Sequence, residues 1–445
     1  PICSDFERDF MSLTFALATG VGKTRLMGAF IAYLYTQHHI RNFFVVAPNT
    51  TIFEKLKKDL SDNNSAKYVF KGIGELAIQP PRIITGDNYD QQNILGGELF
   101  GEIRINIFNI SKINSEVRGG KEPRIKRMKE VLGDSYFNHL ANLPDLVLLM
   151  DESHRYRASA GVRAINELKP LFGLEVTATP FVESTRGPVP FKNVVMDYPL
   201  ALAIEDGFVK EPAVVTQQNF NPADHSAEQL ERIKLMDGIR VHEETKVHLL
   251  TYAEQTGQKP VKPFMLVIAR DTTHATGLLT TIEGLFDGQY KGKVIQVDSG
   301  TTSGAEGDAI VERLLAVESY TEPTEIVIHV NMLKEGWDVT NLYTIVPLRA
   351  ANARTLIEQS IGRGLRLPYG RRTGVEVVDR LNIIAHDKFQ EVIEEAGKGD
   401  SPIRLKELKL EPTDGNGNRL TSLSVPSNTA VMLGISDVKG SGAGS

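Results

Sequence analysis

The sequence predicts an α/β protein of two domains, each a parallel sheet flanked by helices. Short β-branched and aromatic runs alternate with helix-prone stretches along most of the 445 residues, the rhythm of strand–helix–strand units. The runs are also continuously apolar rather than alternating, which suits strands covered on both faces. They fall into two series. Phe43 to Ala47, Ile105 to Ile110, Leu146 to Met150 and Glu175 to Thr177 make the first. Phe264 to Ile268, Val294 to Val297, Glu325 to Val330, Tyr343 to Val346 and Asn382 to Ala385 make the second. Between them, Gly187 to Pro212 holds Pro188, Pro190, Pro199 and Pro212 and reads as a connection. Residues 224–257 are polar and helix-prone. The expected division is a first domain over 1–190, a linker and helical insertion over 191–257, a second domain over 258–400 and a C-terminal extension over 401–445.

Composition narrows the class. Hydrophobic residues at 41% and charged residues at 24% form an ordinary globular balance, which excludes wholesale disorder. The single cysteine, Cys3, excludes a disulfide framework and a cysteine zinc site. No apolar run reaches membrane-spanning length and the N-terminus lacks an export signal, so a soluble, cytoplasmic protein is expected. A net charge of −6 does not advertise nucleic-acid binding, which would need a local basic lane. The opening Pro1 and the closing Gly-Ser-Gly-Ala-Gly-Ser suggest a piece of a longer protein.

A phosphate-binding loop stands near the start. Ala16 to Thr24 reads Ala-Leu-Ala-Thr-Gly-Val-Gly-Lys-Thr, after the apolar Leu13-Thr14-Phe15 and before a helical pattern from Leu26 to Tyr35. Strand, glycine turn and helix form the context such a loop requires. Thr19 belongs to the turn. Gly20 and Gly22 let successive N–H groups point at one anion, and the helix start adds its positive dipole end. Lys23 would neutralise the β- and γ-phosphates, and the Thr24 hydroxyl would ligate Mg²⁺, which prefers oxygen. Leu17 stands where the usual motif has its first glycine. A glycine-rich turn before an ordinary helix is the plainer alternative.

Leu146 to His154 then places Asp151 and Glu152 at the carboxyl end of a buried strand, the end that faces the ligand crevice in a parallel sheet. Asp151 would hold Mg²⁺ through water. Glu152 would orient and deprotonate the attacking water of an in-line phosphoryl transfer. Asp-Glu-Ser-His after a phosphate loop at a domain-sized interval outweighs the alternative of a surface acid pair. Thr177-Ala178-Thr179 closes the first half, with hydroxyls suited to bond back to the carboxylate loop.

In the second half, Asn331 to Val339 follows a strand and contains Glu335-Gly336-Trp337-Asp338. Gln359-Ser360-Ile361-Gly362-Arg363-Gly364-Leu365-Arg366 comes next. Arg363 and Arg366 are three apart, so on a helix they project from one face. Arginines aimed at a γ-phosphate stabilise the transition-state charge.

With these motifs in this order, the chain resembles the superfamily-two helicases and translocases of DEAD/DEAH type. It is most similar to the motor of the restriction (R, or Res) subunit of type III restriction enzymes. Leu333 to Asp338 and Gly362 to Pro368 are the pointers, and the non-glycine Leu17 fits as well. The resemblance covers roughly residues 10–390. It implies two tandem RecA-like domains with the ATP site in the cleft between them. ATP and Mg²⁺ would be bound by Thr19, Gly20, Gly22, Lys23, Thr24, Asp151 and Glu152 from the first domain, and by Gly336, Asp338, Gln359, Arg363 and Arg366 from the second. It also implies an ATP-dependent DNA motor with DNA-backbone contacts near Pro48, Asn49, Thr50, Ser111, Lys112 and Arg270, and a modification methyltransferase subunit as partner. A standalone DNA or RNA helicase is the alternative within the class, and a non-hydrolysing nucleic-acid scaffold the alternative outside it. The basic stretch 118–127 is either an added phosphate contact or a solvated loop.

A nuclease signature, Pro-Asp…Asp/Glu-x-Lys, is matched in letters by Pro144-Asp145 with Glu167-Leu168-Lys169, and by Asp400 with Glu407-Leu408-Lys409. The first lies on the strand that ends in Asp151-Glu152, and little chain follows the second, so both read as chance. The adenine-reading glutamine element normally upstream of the loop is not found in the few residues before it.

Overall fold

The computed structural model describes residues 3–48, 50–65, 67–86, 88, 102–109, 136–157, 165–184, 187–298, 304–330, 339–349, 364–387, 391–392, 394, 405–411 and 420–421. They form two compact units. The first takes Pro1–Pro199 with Lys334–Trp337, and the second Leu200–Leu333 with Asp338–Ser445.

The first unit is built on a seven-stranded sheet. Its chain runs β1 (Ser12–Leu17), α1 (Lys23–His38), β2 (Asn42–Ala47), α2 (Thr50–Ser61), β3 (Arg82–Ile84), β4 (Arg104–Asn109), α3 (Tyr136–Ala141), β5 (Leu146–Asp151) and β6 (Phe172–Thr177). A two-stranded antiparallel hairpin, β7 (Phe181–Ser184) and β8 (Gly187–Pro190), follows, and then β9 (Val194–Tyr198). The sheet order is β3-β4-β2-β5-β6-β1-β9, and each pairing in it is parallel. The carboxyl ends of β1, β2, β5 and β6 therefore open on one edge. Apolar layers cover both faces. Met27, Ile31, Phe43, Val45, Leu56, Val147 and Leu149 pack in one cluster, and Phe44, Val46, Phe137, Leu148 and Met150 in the other. This is why β2 and β5 read as unbroken apolar runs; each such side chain contributes roughly 1.5–3 kcal/mol when fully buried. Helix α1 lies so close to the segment before β3 that a Cβ on Gly28 would come within 2.7 Å of the Val69 Cβ.

The second unit runs α4 (Leu200–Glu205), β10 (Glu211–Gln217), α5 (Ala227–Thr256), β11 (Phe264–Ile268), α6 (Thr272–Gly284), β12 (Val294–Val297), α7 (Gly304–Leu315), β13 (Ile326–His329), β14 (Leu342–Pro347), β15 (Arg380–Ile384), β16 (Lys406–Leu410) and β17 (Leu420–Thr421). Its sheet order is β12-β13-β11-β14-β15-β10-β16-β17, parallel except for the last pair. Helix α5 begins with a capping box, in which Ser226 and Gln229 satisfy each other's backbone N–H groups, and stops at Gly257 with φ 67°.

The expected strands recur where the sequence places them, with one region different. Residues 191–257 are not a linker with an insertion. β9 adds to the first sheet beside β1, the division falls after Pro199, and β10 is an interior strand between β15 and β16. Prolines mislead here because Pro212 sits near the start of its strand, where its missing N–H is tolerated. Helix α5 packs Leu235, Ile239 and Val241 into the core of the second sheet, so it belongs to that domain. Asp145 has a structural task. Its carboxylate accepts from the Arg41 N–H at 2.9 Å and from Asn42 Nδ2 at 2.6 Å, fastening the start of β2. Glu407 lies on β16, paired with β10.

Candidate nucleotide site

At the carboxyl end of β1 the chain turns through Gly20 (φ 91°) and Gly22 (φ 105°) into α1. Both angles lie in the left-handed region that favours glycine. No acidic side chain occupies the first turn of α1 and no side chain caps it. Its leading N–H groups are thus left for an anion. Leu17 is buried as the last strand residue and takes no part in the turn.

β5 delivers the acids to the same edge. The order β5-β6-β1 leaves one strand between the acid loop and the phosphate loop, and that strand ends in Thr177. Glu152 takes a left-handed conformation (φ 51°, ψ 51°), which turns the chain sharply after Asp151. Lys23 Nζ lies 2.8 Å from Glu152 Oε1. Burial pushes the Glu152 carboxyl up, but the charge and hydrogen bond of Lys23, then His154 and Arg155, outweigh it and hold the group below its usual value. Asp151 is buried, and its Oδ1 accepts the Glu152 N–H at 3.0 Å. Burial first, and the Glu152 charge second, push Asp151 up to about 6, against the pull of Lys23 and Lys55.

The expected link from Thr177-Ala178-Thr179 to the carboxylate loop is present. His154 Nδ1 shares a hydrogen bond with Thr177 Oγ1 at 3.0 Å and lies 3.6 Å from Glu152 Oε2. Thr177 Oγ1 also accepts the Thr179 N–H at 3.1 Å.

Two further groups were not legible in the motifs. Lys55, from α2, donates to Thr24 Oγ1 at 3.4 Å. Arg157, just past the acid loop, bonds Glu7 Oε2 at 2.5 Å and Glu175 Oε2 at 2.8 Å, and lies 3.7 Å over the Phe191 ring. Glu175 itself is fully buried and also takes Arg8 at 3.0 Å and the Ser12 hydroxyl at 2.8 Å. This network fastens the acid loop to β6 and the N-terminal segment. Its components are scattered from Glu7 to Asn193, so no local pattern announces it.

Thr24 and Asp151 offer oxygen atoms of the kind Mg²⁺ prefers, and Lys55 Nζ already lies 3.4 Å from the Thr24 hydroxyl. The residues fit Mg²⁺. Elsewhere, His242, Glu243 and Glu325 bring ligand atoms within 4.8 Å of one another. Lys246 and Lys293 already sit 2.7 and 2.8 Å from Glu325, and the Tyr290 hydroxyl donates to Glu243, so ammonium groups balance that cluster.

In the second unit, Arg366 is half-buried between the buried Leu365 and Leu367. Arg366 lies outside helix, in the stretch that follows Gly364, while Arg363 is not among the described residues. Space explains the glycine: a Cβ at Gly364 would come within 2.6 Å of Leu381. Arg270 is exposed and paired with Glu231 at 2.7 Å, while Asp271 caps α6 by accepting the His274 N–H. Pro48 lies in a bend just after β2, and Thr50 is the first residue of α2. Asn49, Ser111, Lys112, residues 118–127, Gly336, Asp338, Gln359 and Arg363 lie outside the described residues.

Two parallel-sheet α/β domains, with a phosphate loop and an Asp-Glu pair on one edge of the first, define the class by its fold, which is tandem RecA-like. More particularly, residues 2–182 match the family described as type III restriction enzyme, res subunit. The chain is 36% identical over 86 residues to the type III restriction-modification enzyme StyLTI Res subunit of Salmonella typhimurium. That stretch covers 18% of this chain and 9% of that protein. Among solved structures, the ATP-dependent type ISP restriction-modification enzyme LlaBIII bound to DNA matches with a TM-score of 0.51 at 13% identity. The match covers 92% of this chain and 27% of that one. A Dbp5 variant of S. cerevisiae matches with a TM-score of 0.52 at 14% identity, covering 91% of this chain and 85% of that one. The DUF1998 helicase MrfA bound to DNA and AMPPNP matches with a TM-score of 0.51 at 15% identity, covering 89% and 50%. The chain thus spans a small part of the restriction enzymes it matches. Among the described residues, no helix is long and apolar enough to cross a membrane.

Proposed function

We propose that the chain is the ATPase motor of a restriction enzyme of the type III R-subunit kind, hydrolysing ATP to move along DNA. The observation that carries the reading is the meeting of Lys23, Thr24, Asp151 and Glu152 on one sheet edge, with Lys23 paired to Glu152. The match of residues 2–182 to the res-subunit family supports it. LlaBIII and MrfA, similar in fold, are bound to DNA.

The residues divide the work as follows. The turn through Gly20 and Gly22 and the start of α1 hold the phosphates, and Lys23 leaves Glu152 to neutralise them. Thr24 and Asp151 would hold Mg²⁺, which supplies charge neutralisation to the phosphoryl group. Glu152, freed of Lys23, accepts a proton from the attacking water. His154 and Thr177 register the state of the acid loop at the end of β6. Arg363 and Arg366 would meet the γ-phosphate from the second domain, with Gly336, Asp338 and Gln359 beside them. Closure on ATP and opening after hydrolysis would ratchet one domain along the DNA backbone, past Pro48, Asn49, Thr50, Ser111, Lys112 and Arg270. A modification methyltransferase subunit is the protein partner this reading expects.

One assay tests it: ATP hydrolysis by the chain alone, with duplex DNA, with single-stranded DNA and with RNA. DNA-stimulated turnover is expected. Stimulation by RNA alone makes the chain an RNA motor, and no turnover under any condition makes it a scaffold.

A further inference from the structure

Lys210 is fully buried, an unusual place for a lysine. It follows α4, shortly after the chain passes from the first unit to the second at Pro199 and Leu200, and immediately precedes β10. Its ammonium donates to three backbone carbonyls: Thr340 O at 2.8 Å, Leu342 O at 2.8 Å and Gly364 O at 3.2 Å. An ammonium has three donors, so the match is complete. The Tyr343 ring lies 3.9 Å from the same nitrogen, a cation–π contact in a desolvated place. The backbone N–H of Lys210 donates to Leu365 O at 2.6 Å.

The positions of these carbonyls give the contact its meaning. Thr340 is two residues beyond Asp338. Gly364 and Leu365 lie between Arg363 and Arg366. One side chain therefore ties the Thr340–Leu342 stretch to the Gly364–Leu365 stretch, each next in sequence to residues assigned to ATP, and ties both to the stretch by which the chain enters the second unit. Arg372 reinforces the same stretch, donating to Ile204 O at 2.6 Å and Val209 O at 3.1 Å and pairing with Glu211 at 2.7 Å. Burial pushes the Lys210 ammonium well down from its ordinary value, while Glu318 and Asp379 oppose that push. A methionine would fill the same space without desolvating a charge, so packing alone does not account for the residue.

We propose that Lys210 is a positioning residue: it fastens the Thr340–Leu342 and Gly364–Leu365 stretches to each other and to the segment that precedes β10, so that the three hold one arrangement. The catalytic part of this inference rests on the function proposed above.

The test is Lys210→Met in the full chain, with Lys210→Gln as a second variant that keeps two N–H donors and serves if the first does not fold. Melting temperature, ATP affinity, kcat and amide hydrogen exchange are measured for each. In Lys210→Met, kcat should fall about tenfold or more while ATP affinity stays within about threefold, the pattern of a lost transition-state arrangement. Exchange should quicken in peptides covering 338–345 and 360–367, and stay unchanged in those covering β1, β5 and β6. Lys210→Gln should fall between wild type and Lys210→Met. A folded variant with kcat within twofold of wild type and unchanged exchange overturns the proposal. So does loss of affinity and kcat in step with a general rise in exchange, which would mark a core residue only. If the wild type hydrolyses no ATP, the proposed function fails, and the exchange comparison still decides whether Lys210 fastens the two segments.

Discussion

Lys23 Nζ and Glu152 Oε1 lie 2.8 Å apart, so the cation proposed for phosphate is held by the carboxylate proposed for water. Lys23 holds Glu152 in its charged form, and a bound nucleotide would have to part them. Lys23→Ala should therefore abolish hydrolysis, by about 10³-fold or more given the charge that develops on the transferred phosphoryl group. The fold should survive, because Lys23 opens a helix at a turn rather than entering the core. Steady-state turnover and thermal melting of both proteins check this. Turnover near the wild-type rate would remove Lys23 from the site.

Glu152→Gln keeps shape and removes the base. Hydrolysis should fall by ~10²-fold or more while ATP still binds. Affinity for ATP should hold or rise, because the neutral amide releases Lys23. Equal losses of affinity and turnover in a binding titration run beside the kinetic assay would make Glu152 a binding residue instead.

Arg366→Ala should cut hydrolysis by about 10³-fold with little change in nucleotide affinity, as for an arginine that acts only in the transition state. Trp337 is the single tryptophan and reports on the neighbouring Asp338. ATP analogue and DNA together should shift its emission more than either alone, and the variant should weaken that joint shift. Turnover within a few-fold of wild type would remove Arg366 from catalysis.

Asp151 carries a pH dependence whose sign follows from its raised value of about 6. The folded protein holds this proton more tightly than the unfolded chain, whose aspartate titrates near 3.9. Stability should therefore fall as pH rises from about 4 to about 6, and the penalty persists above that. Asp151→Asn should melt at or above the wild-type temperature at pH 7.5, with that advantage vanishing below about pH 4, and should lose Mg²⁺-dependent turnover. A large drop in melting temperature at pH 7.5 would show that the ionised form is structurally required.

Glu175 works in the opposite sense. Burial pushes it up, but Arg8 and Arg157 outweigh burial and hold it below its ordinary value. Its stabilisation is present above the unfolded carboxyl range and is lost as pH falls through the folded value. Glu175→Gln leaves two buried guanidinium groups without their anion and should cost roughly 3–5 kcal/mol in denaturant unfolding. A change below about 1 kcal/mol would mean the network is not what secures the acid loop.

Local chemistry was enough to read part of this molecule. Gly20, Gly22 and Lys23 declared their turn because few residues tolerate those angles and the helix start follows at once. β2, β5, β11 and β14 declared themselves because burial on both faces leaves only apolar residues. Asp151 and Glu152 were legible because they follow a phosphate loop at a domain-sized interval and His154 completes the pattern. Tertiary structure alone decided that the proline-rich stretch supplies β9 and β10, one to each sheet, since partner strands far away in sequence determine whether a short run pairs. It alone set Lys23 on Glu152 and His154 on Thr177, and brought Lys55 to Thr24. It set Gly364 against Leu381. It also buried Lys210 among three carbonyls and Glu175 between two arginines. Lys23 with Glu152, Arg8 with Glu175 and Lys210 with its carbonyls each join residues more than a hundred positions apart, and their energies come from removing charges from water, which no spacing along the chain records.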